Sequence, residues 1–167
     1  MKPTKPEAPI DHQKWEAVEE ATELLNEERF REALVALKGV LTADPRNHYA
    51  FYFTGVALYE CGEMQPARDA YRACLVLAPD HLGARVALTH VLRKLGDLKG
   101  AISEGISALE RAPEDPDVMY ALGLAYLSHG DNAAARKFLR AFLASNPEFE
   151  LSVEVTAALE ALDNQMN

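Results

Sequence analysis

Histidine, cysteine and acidic side chains are the groups of this 167-residue chain that could carry out catalysis or bind a metal, and their spacing favours neither. The two cysteines, Cys61 and Cys74, form no CxxC pair. The sequence contains no phosphate-binding loop, nucleophile elbow, HExxH motif or dinucleotide fingerprint. None of the histidines stands at metal-ligand spacing from acids or cysteines; they are His12, His48, His81, His90 and His129. The sequence therefore predicts a non-enzymatic protein with no cofactor and no metal site.

Tyrosine is the residue type whose spacing indicates binding. Tyr49, Tyr52, Val56 and Tyr59 follow one another at steps of three, four and three residues, so on a helix their side chains share one face. A tyrosine combines a large apolar ring with a hydroxyl group, which suits a surface that binds and releases a partner. The alternative interpretation is that these rings cover the edges of the core or contact the N-terminal segment.

A small basic cluster, His90, Arg93 and Lys94, lies near the end of a later predicted helix. Such a cluster could hold an acidic side chain or a C-terminal carboxylate of a partner. The alternative is a solvated polar helix end, where basic side chains interact favourably with the helix dipole.

These side chains must be positioned by a unit that repeats every 34 residues. Each block contains two apolar series of helical spacing joined by a short turn, which predicts antiparallel neighbouring helices. The first of these helices is predicted from His12 to Asn26. The period is set by prolines, by alanines twelve residues before them and by glycines in the turns: Pro45, Pro79, Pro113 and Pro147; Ala33, Ala67, Ala101 and Ala135; Gly62, Gly96 and Gly130.

The blocks resemble tetratricopeptide repeats (TPR), whose 34-residue unit is a pair of antiparallel helices. The third block departs from the family pattern at Arg85 and Gly105, and the first at Ala17 and Glu20. The resemblance implies an all-α fold, a right-handed superhelix (α-solenoid) of stacked helix pairs. The matching positions in the second and fourth blocks are Phe51, Gly55, Leu58, Ala67, Tyr71 and Pro79, and Met119, Leu122, Gly123, Tyr126, Ala135, Leu139 and Pro147.

The predicted organisation is a disordered proline-rich tail over residues 1–11 followed by a single domain over residues 12–163. An apolar stripe beginning at Leu151 and Val155 predicts a helix that covers the last repeat. The repeats are expected at about 14–47, 48–81, 82–115 and 116–149, and the capping helix at about 150–163.

The resemblance also implies that the first helix of each pair lines a concave groove. The side chains expected there as a partner-binding groove are Trp15, Tyr49, Tyr52, Val56, Tyr59, Val86, His90, Arg93, Lys94, Tyr120 and Leu124. The family's carboxylate clamp for chaperone tails requires a Lys-Asn-Asn-Lys-Arg set, and none of the corresponding positions matches. Those positions are Val18, Thr22, Phe53, Gly83 and Ala87.

Composition limits the classes of partner. Apolar residues make up 49% and charged residues 26% of the chain, as in a globular protein. The net charge of −9 disfavours nucleic acid. With no apolar run of membrane-span length and no signal-peptide pattern, a soluble cytoplasmic protein is expected, with its oligomeric state left open between monomer and weak dimer.

The function predicted from these features is an adaptor or scaffold that binds a peptide or helix of a partner protein in an aromatic-lined groove. Two alternatives remain open. Small acidic proteins with tandem repeats of this kind are similar to class II chaperones of type III secretion, which bind hydrophobic translocators. The other alternative is structural self-assembly through the end faces.

Overall fold

A computed structural model of the chain describes residues 11–164, and all the regular secondary structure in that range is helical. The predicted all-α fold is therefore confirmed. The predicted tail, residues 1–11, lies outside the described residues except for Asp11. The helices are α1 (His12–Glu16), α2 (Glu19–Asn26), α3 (Phe30–Ala43), α4 (His48–Glu60), α5 (Met64–Leu77), α6 (Leu82–Lys94), α7 (Leu98–Arg111), α8 (Pro116–His129), α9 (Asn132–Leu143) and α10 (Phe149–Asn164).

The helices belong to two compact units, with the boundary between Ala78 and Pro79. Unit 1 contains α1 to α5 and unit 2 contains α6 to α10. In each unit the most extensive packing is between the two helices of a pair, α4 with α5 in unit 1 and α8 with α9 in unit 2. Each of the four period-setting prolines lies in the loop that follows the second helix of a pair.

Residues with a left-handed backbone conformation form the turns within the helix pairs. Gly62, Gly96 and Gly130 have φ of 78°, 82° and 87°, the region that glycine enters without steric cost. The first pair has Glu28 there instead, with φ of 59°. A residue with a Cβ is strained in this region, so the first turn is the least favourable of the four.

Aspartate after the turn glycine caps the second helix of two pairs. Asp97 accepts a hydrogen bond from the backbone N–H of Gly100 at 2.9 Å, and Asp131 accepts one from Ala134 at 3.0 Å. Glu63, the corresponding acid of the second pair, makes no such cap and instead lies 3.3 Å from the guanidinium of Arg31. The longer side chain thus replaces a capping bond by an exposed ion pair.

The first predicted helix is interrupted, which the sequence periodicity did not indicate. The backbone N–H of Val18 donates to the carbonyl of Trp15 at 3.0 Å, and not to the carbonyl of Lys14 as a continuous helix requires. The Lys14 carbonyl instead accepts from the side-chain amide of Asn47 at 2.9 Å. A side chain inserted into the helical ladder is a known cause of a kink, and here it separates α1 from α2.

Asn47 is wholly buried and has a second role at the start of α4. Its side-chain oxygen accepts from the backbone N–H of Ala50 at 3.1 Å, which caps the helix. One amide therefore fixes both the beginning of α4 and the position of α1 against it.

Glycine permits a close helix contact in each unit. A Cβ placed on Gly55 would lie 2.5 Å from the ring of Tyr71, and one on Gly123 would lie 2.7 Å from the side chain of Leu139. Tyr71 and Leu139 are both buried, so each fills space that the missing Cβ leaves. These contacts explain why the two blocks with Gly55 and Gly123 match the family pattern best.

The departure of the third block at Arg85 has a structural compensation. The guanidinium of Arg85 lies 2.6 Å from the carboxylate of Glu104 on α7, and also donates to the carbonyl of Pro79 at 2.9 Å. An ion pair between two mostly covered side chains thus replaces the apolar bulk expected at this position.

The amphipathic α10 covers the last pair with Val155, Leu159 and Leu162, which are buried. Its opposite face exposes Phe149 by 81% and Val153 by 52%. The exposed apolar residues of α10, Phe149 and Val153, are therefore not members of the predicted stripe.

Candidate functional site

The helix α4 carries apolar or aromatic side chains around its whole circumference. Ala50, Gly55 and Ala57 are buried. Another face of α4 is only partly buried, although its side chains are large. The buried positions of α4 hold small residues, so this partly covered face presents aromatic surface to solvent. Its members are Tyr49, Tyr52, Phe53, Val56 and Tyr59.

Four of the aromatic rings of unit 1 form a continuous series, the aromatic row, made of Trp15, Tyr49, Phe53 and Tyr52. Trp15 meets Tyr49 edge-on with centroids 5.2 Å apart and Phe53 with centroids 5.9 Å apart. Phe53 in turn meets Tyr52 at 5.1 Å. Edge-to-face pairs contribute about 0.5–1.5 kcal/mol each beyond their buried area, so each ring helps to fix its neighbour.

The row runs from the core to the surface. Tyr49 and Phe53 pack against the buried cluster of Val18, Ala21 and Leu37, whereas Trp15 remains 36% exposed. The alternative interpretation of the tyrosines, that they cover core edges, therefore describes Tyr49 in part.

An open pocket of about 460 Å³ lies between α2 and α4 at the Tyr52 end of the row. This volume falls within the range of about 300–1,000 Å³ found for ligand pockets. The apolar wall of the pocket can accept a large apolar side chain, and the two carboxylates beside it make its rim acidic. The lining residues are Thr22, Leu25, Asn26, Glu28, Phe30, Tyr52, Phe53, Val56 and Glu60.

Two aromatic residues of the pocket, Phe30 and Phe53, are not among the site residues predicted from the sequence. Phe53 stands at one of the carboxylate-clamp positions, and Phe30 is the first residue of α3. The spacing of Tyr49, Phe53 and Val56 at four and three residues is also that of one helix face and could have indicated Phe53. Phe30 enters the pocket through the turn between α2 and α3, a contact that helical periodicity does not describe.

Unit 2 carries the other predicted site residues on α6 and α8. The ring of His90 lies 5.8 Å from that of Tyr120, which lies 4.9 Å from Phe142. Tyr120 and Leu124 pack partly against the buried cluster formed by α9 and α10. Tyr120 and Leu124 therefore contribute both to the surface and to the packing of the last helix pair. Val86 is partly buried on α6 and Lys94 is exposed.

The His90 imidazole is held neutral in the folded chain. Burial lowers its pKa to about 4, and the nearby positive charges of Arg93 and Lys94 act in the same direction. The Nε of Arg93 is buried and has no hydrogen-bond partner among residues 11–164. This corner of unit 2 thus combines an arginine whose Nε is buried with a neutral imidazole.

The lowered pKa of His90 makes the stability of the protein depend on pH. Its folded pKa is below the ordinary value of about 6.5, so the unfolded chain binds the proton more tightly and acid favours unfolding. We expect the free energy of unfolding to fall by about 2 kcal/mol more in the wild type than in His90→Gln between pH 7 and about 4.5. Urea titrations at several pH values measure this difference, and parallel profiles for the two proteins would contradict it.

Among the described residues, no group of three or more histidines, cysteines or acids is placed to hold a metal ion. Burial raises the pKa of the Cys74 thiol to about 12, which makes the thiolate scarce at neutral pH. No helix within residues 11–164 is long and apolar enough to span a membrane.

Comparison with known proteins identifies the fold. YrrB, a TPR protein with an unusual peptide-binding site, has a TM-score of 0.72 at 21% identity, over 82% of this chain and 71% of that chain. MamA from Desulfovibrio magneticus RS-1 has a TM-score of 0.74 at 21% identity, over 96% and 99%. The first TPR of Spaghetti (RPAP3), bound to the HSP90 peptide SRMEEVD, has a TM-score of 0.67 at 15% identity, over 72% and 96%. No curated protein matches the chain.

The family model for the tetratricopeptide repeat matches residues 18–81 and 86–148, which is most of the chain. The two matched stretches cover the helix pairs that the 34-residue period predicts. The TPR fold supports a role in protein–protein interaction, and repeats of this type are generally non-catalytic. The chain therefore belongs to the tetratricopeptide repeat family.

Proposed function

We propose that the chain is an adaptor or scaffold that binds a peptide or helix of a partner protein on the aromatic face of α4. The observation that carries this proposal is the aromatic row ending at an open pocket. Such a surface can bury a large apolar side chain of the partner at its centre, which is the usual form of an energetic hot spot.

The chemistry of the pocket favours a particular kind of segment. Tyr52, Phe53 and Val56 supply an apolar wall, and Glu28 and Glu60 lie at its rim. An aromatic or aliphatic anchor next to a basic residue would satisfy both parts of this surface. The similarity to YrrB, whose structure includes a peptide-binding site, supports peptide recognition as the mode of binding.

The pocket can be tested without disturbing the deepest part of the core. In the double variant Tyr52→Ala/Val56→Ala the anchor site loses its wall, and a hot-spot loss of about 2 kcal/mol predicts roughly 30-fold weaker binding. The measurement is quantitative mass spectrometry of proteins that co-purify with the tagged chain, followed by titration of the recovered partner.

The matched control is Val35→Ala/Val76→Ala, which removes two apolar side chains that are 75% and 80% exposed on α3 and α5. We expect this control to retain the partner. Thermal melts of both variants separate loss of binding from loss of folding. Equal recovery of every partner by the wild type and by a folded Tyr52→Ala/Val56→Ala variant would rule the proposal out.

A further inference from the structure

Arg93 is exceptional among the arginines of unit 2. The others all have a carboxylate partner, whereas the guanidinium of Arg93 forms no ion pair within the described range. The Nε of Arg93 is buried without a hydrogen-bond partner, as is the Nε of Arg85. The partnered arginines are Arg85 with Glu104, Arg111 with Asp80, and Arg136 and Arg140 with Asp163. A buried donor without an acceptor costs free energy that a ligand oxygen would recover.

The surroundings of Arg93 favour an anion. His90 precedes it by three residues on α6, so the two side chains are neighbours on the helix surface. Arg93 and Lys94 together disfavour a third positive charge at His90, which shows that their electrostatic potential reaches the imidazole. A neutral imidazole can still donate one N–H to an incoming oxygen, and the ring of Tyr120 lies 5.8 Å away on α8.

We propose that Arg93, with His90 beside it, binds the carboxylate of an aspartate or glutamate side chain of the partner protein. The planar fork of a guanidinium matches a carboxylate through two parallel hydrogen bonds. This inference rests on the proposed function, because the partner supplies the carboxylate.

A side chain and a chain end could each supply a carboxylate to Arg93. The five positions at which the family holds a chain-end carboxylate carry none of the required residues here. We therefore assign the site to an acidic side chain of the partner protein.

Short peptides test the assignment by NMR on the full chain. The probes are acetyl-Leu-Glu-Leu-amide, its glutamine counterpart, and acetyl-Leu-Gln-Leu with a free C-terminal carboxylate, each titrated to about 10 mM, where a site of Kd about 1 mM is nearly filled. The readouts are the Nε–Hε resonance of Arg93 and the imidazole resonances of His90. We expect saturable shifts with the glutamate peptide and at least tenfold weaker binding of the other two.

Variants of Arg93 complete the test. Arg93→Gln should abolish the glutamate preference, Arg93→Lys should retain a weaker one, and the control Arg111→Gln should behave as the wild type. Equal binding of the glutamate and glutamine peptides, or no shift with any peptide, would overturn the proposal. A preference for the free C-terminus would overturn the side-chain assignment. Shifts of the Tyr52 and Val56 amides without shifts at Arg93 would overturn this inference alone and leave the proposed function intact.

Discussion

Replacing Leu139 with alanine is expected to lower the free energy of unfolding by about 3–5 kcal/mol. Leu139 is wholly buried on α9 and packs with Phe142, Val155 and Leu159 from α9 and α10. It also occupies the space beside Gly123, so the truncation leaves a cavity between α8 and α9 that the rigid helix pair cannot close.

The comparison variant for Leu139→Ala is Val153→Ala, because Val153 is apolar, lies in the same unit and is 52% exposed. Its expected effect is within about 0.5 kcal/mol. Urea unfolding followed by circular dichroism measures both. A loss below about 1 kcal/mol for Leu139→Ala would show that the contact between α9 and its neighbours is not tightly packed.

The second large effect is expected for Asn47→Ala, which should lower the free energy of unfolding by about 2–4 kcal/mol. Removal of the cap on α4 costs about 1 kcal/mol. The loss of the bond to Lys14 adds about 1–3 kcal/mol, because the partly buried carbonyl of Lys14 is left without a hydrogen-bond donor.

Comparison with Asp131→Ala separates the capping bond of Asn47 from its bond to Lys14. Asp131 caps α9 but makes no bond to another helix in the described structure. We expect Asp131→Ala to cost about 1 kcal/mol, which is the cap alone. Equal losses for the two variants would mean that the amide of Asn47 does not hold α1 against α4. A lower fluorescence anisotropy of Trp15 in Asn47→Ala provides a second check.

The local features of the fold could be predicted from the sequence because they depend on short spacings. The 34-residue period indicates the helix pairs, and glycine at Gly62, Gly96 and Gly130 indicates the turns, since only the local backbone decides their conformation. The break between α1 and α2 could not be predicted in this way. It depends on Asn47, which is 33 residues from Lys14 in the sequence.

The candidate site was predictable only in part for the same reason. Spacing alone places Tyr49, Tyr52 and Tyr59 on one helix face, but it does not indicate which ring the neighbouring helices cover. The structure shows Tyr49 at the edge of the buried cluster and Tyr52 at the open pocket. Whether Arg93 has a carboxylate partner also depends on which acids the other helices bring near it.

The most direct test of partner binding at α4 is hydrogen exchange of the full chain, alone and with the protein that co-purifies with it. We expect slower exchange in α2 and α4 around Tyr52 and Val56, and unchanged exchange in α3 near Val35 and in α5 near Val76. Protection confined to α3, α5 or the outward face of α10, with α2 and α4 unchanged, would contradict binding at the aromatic face.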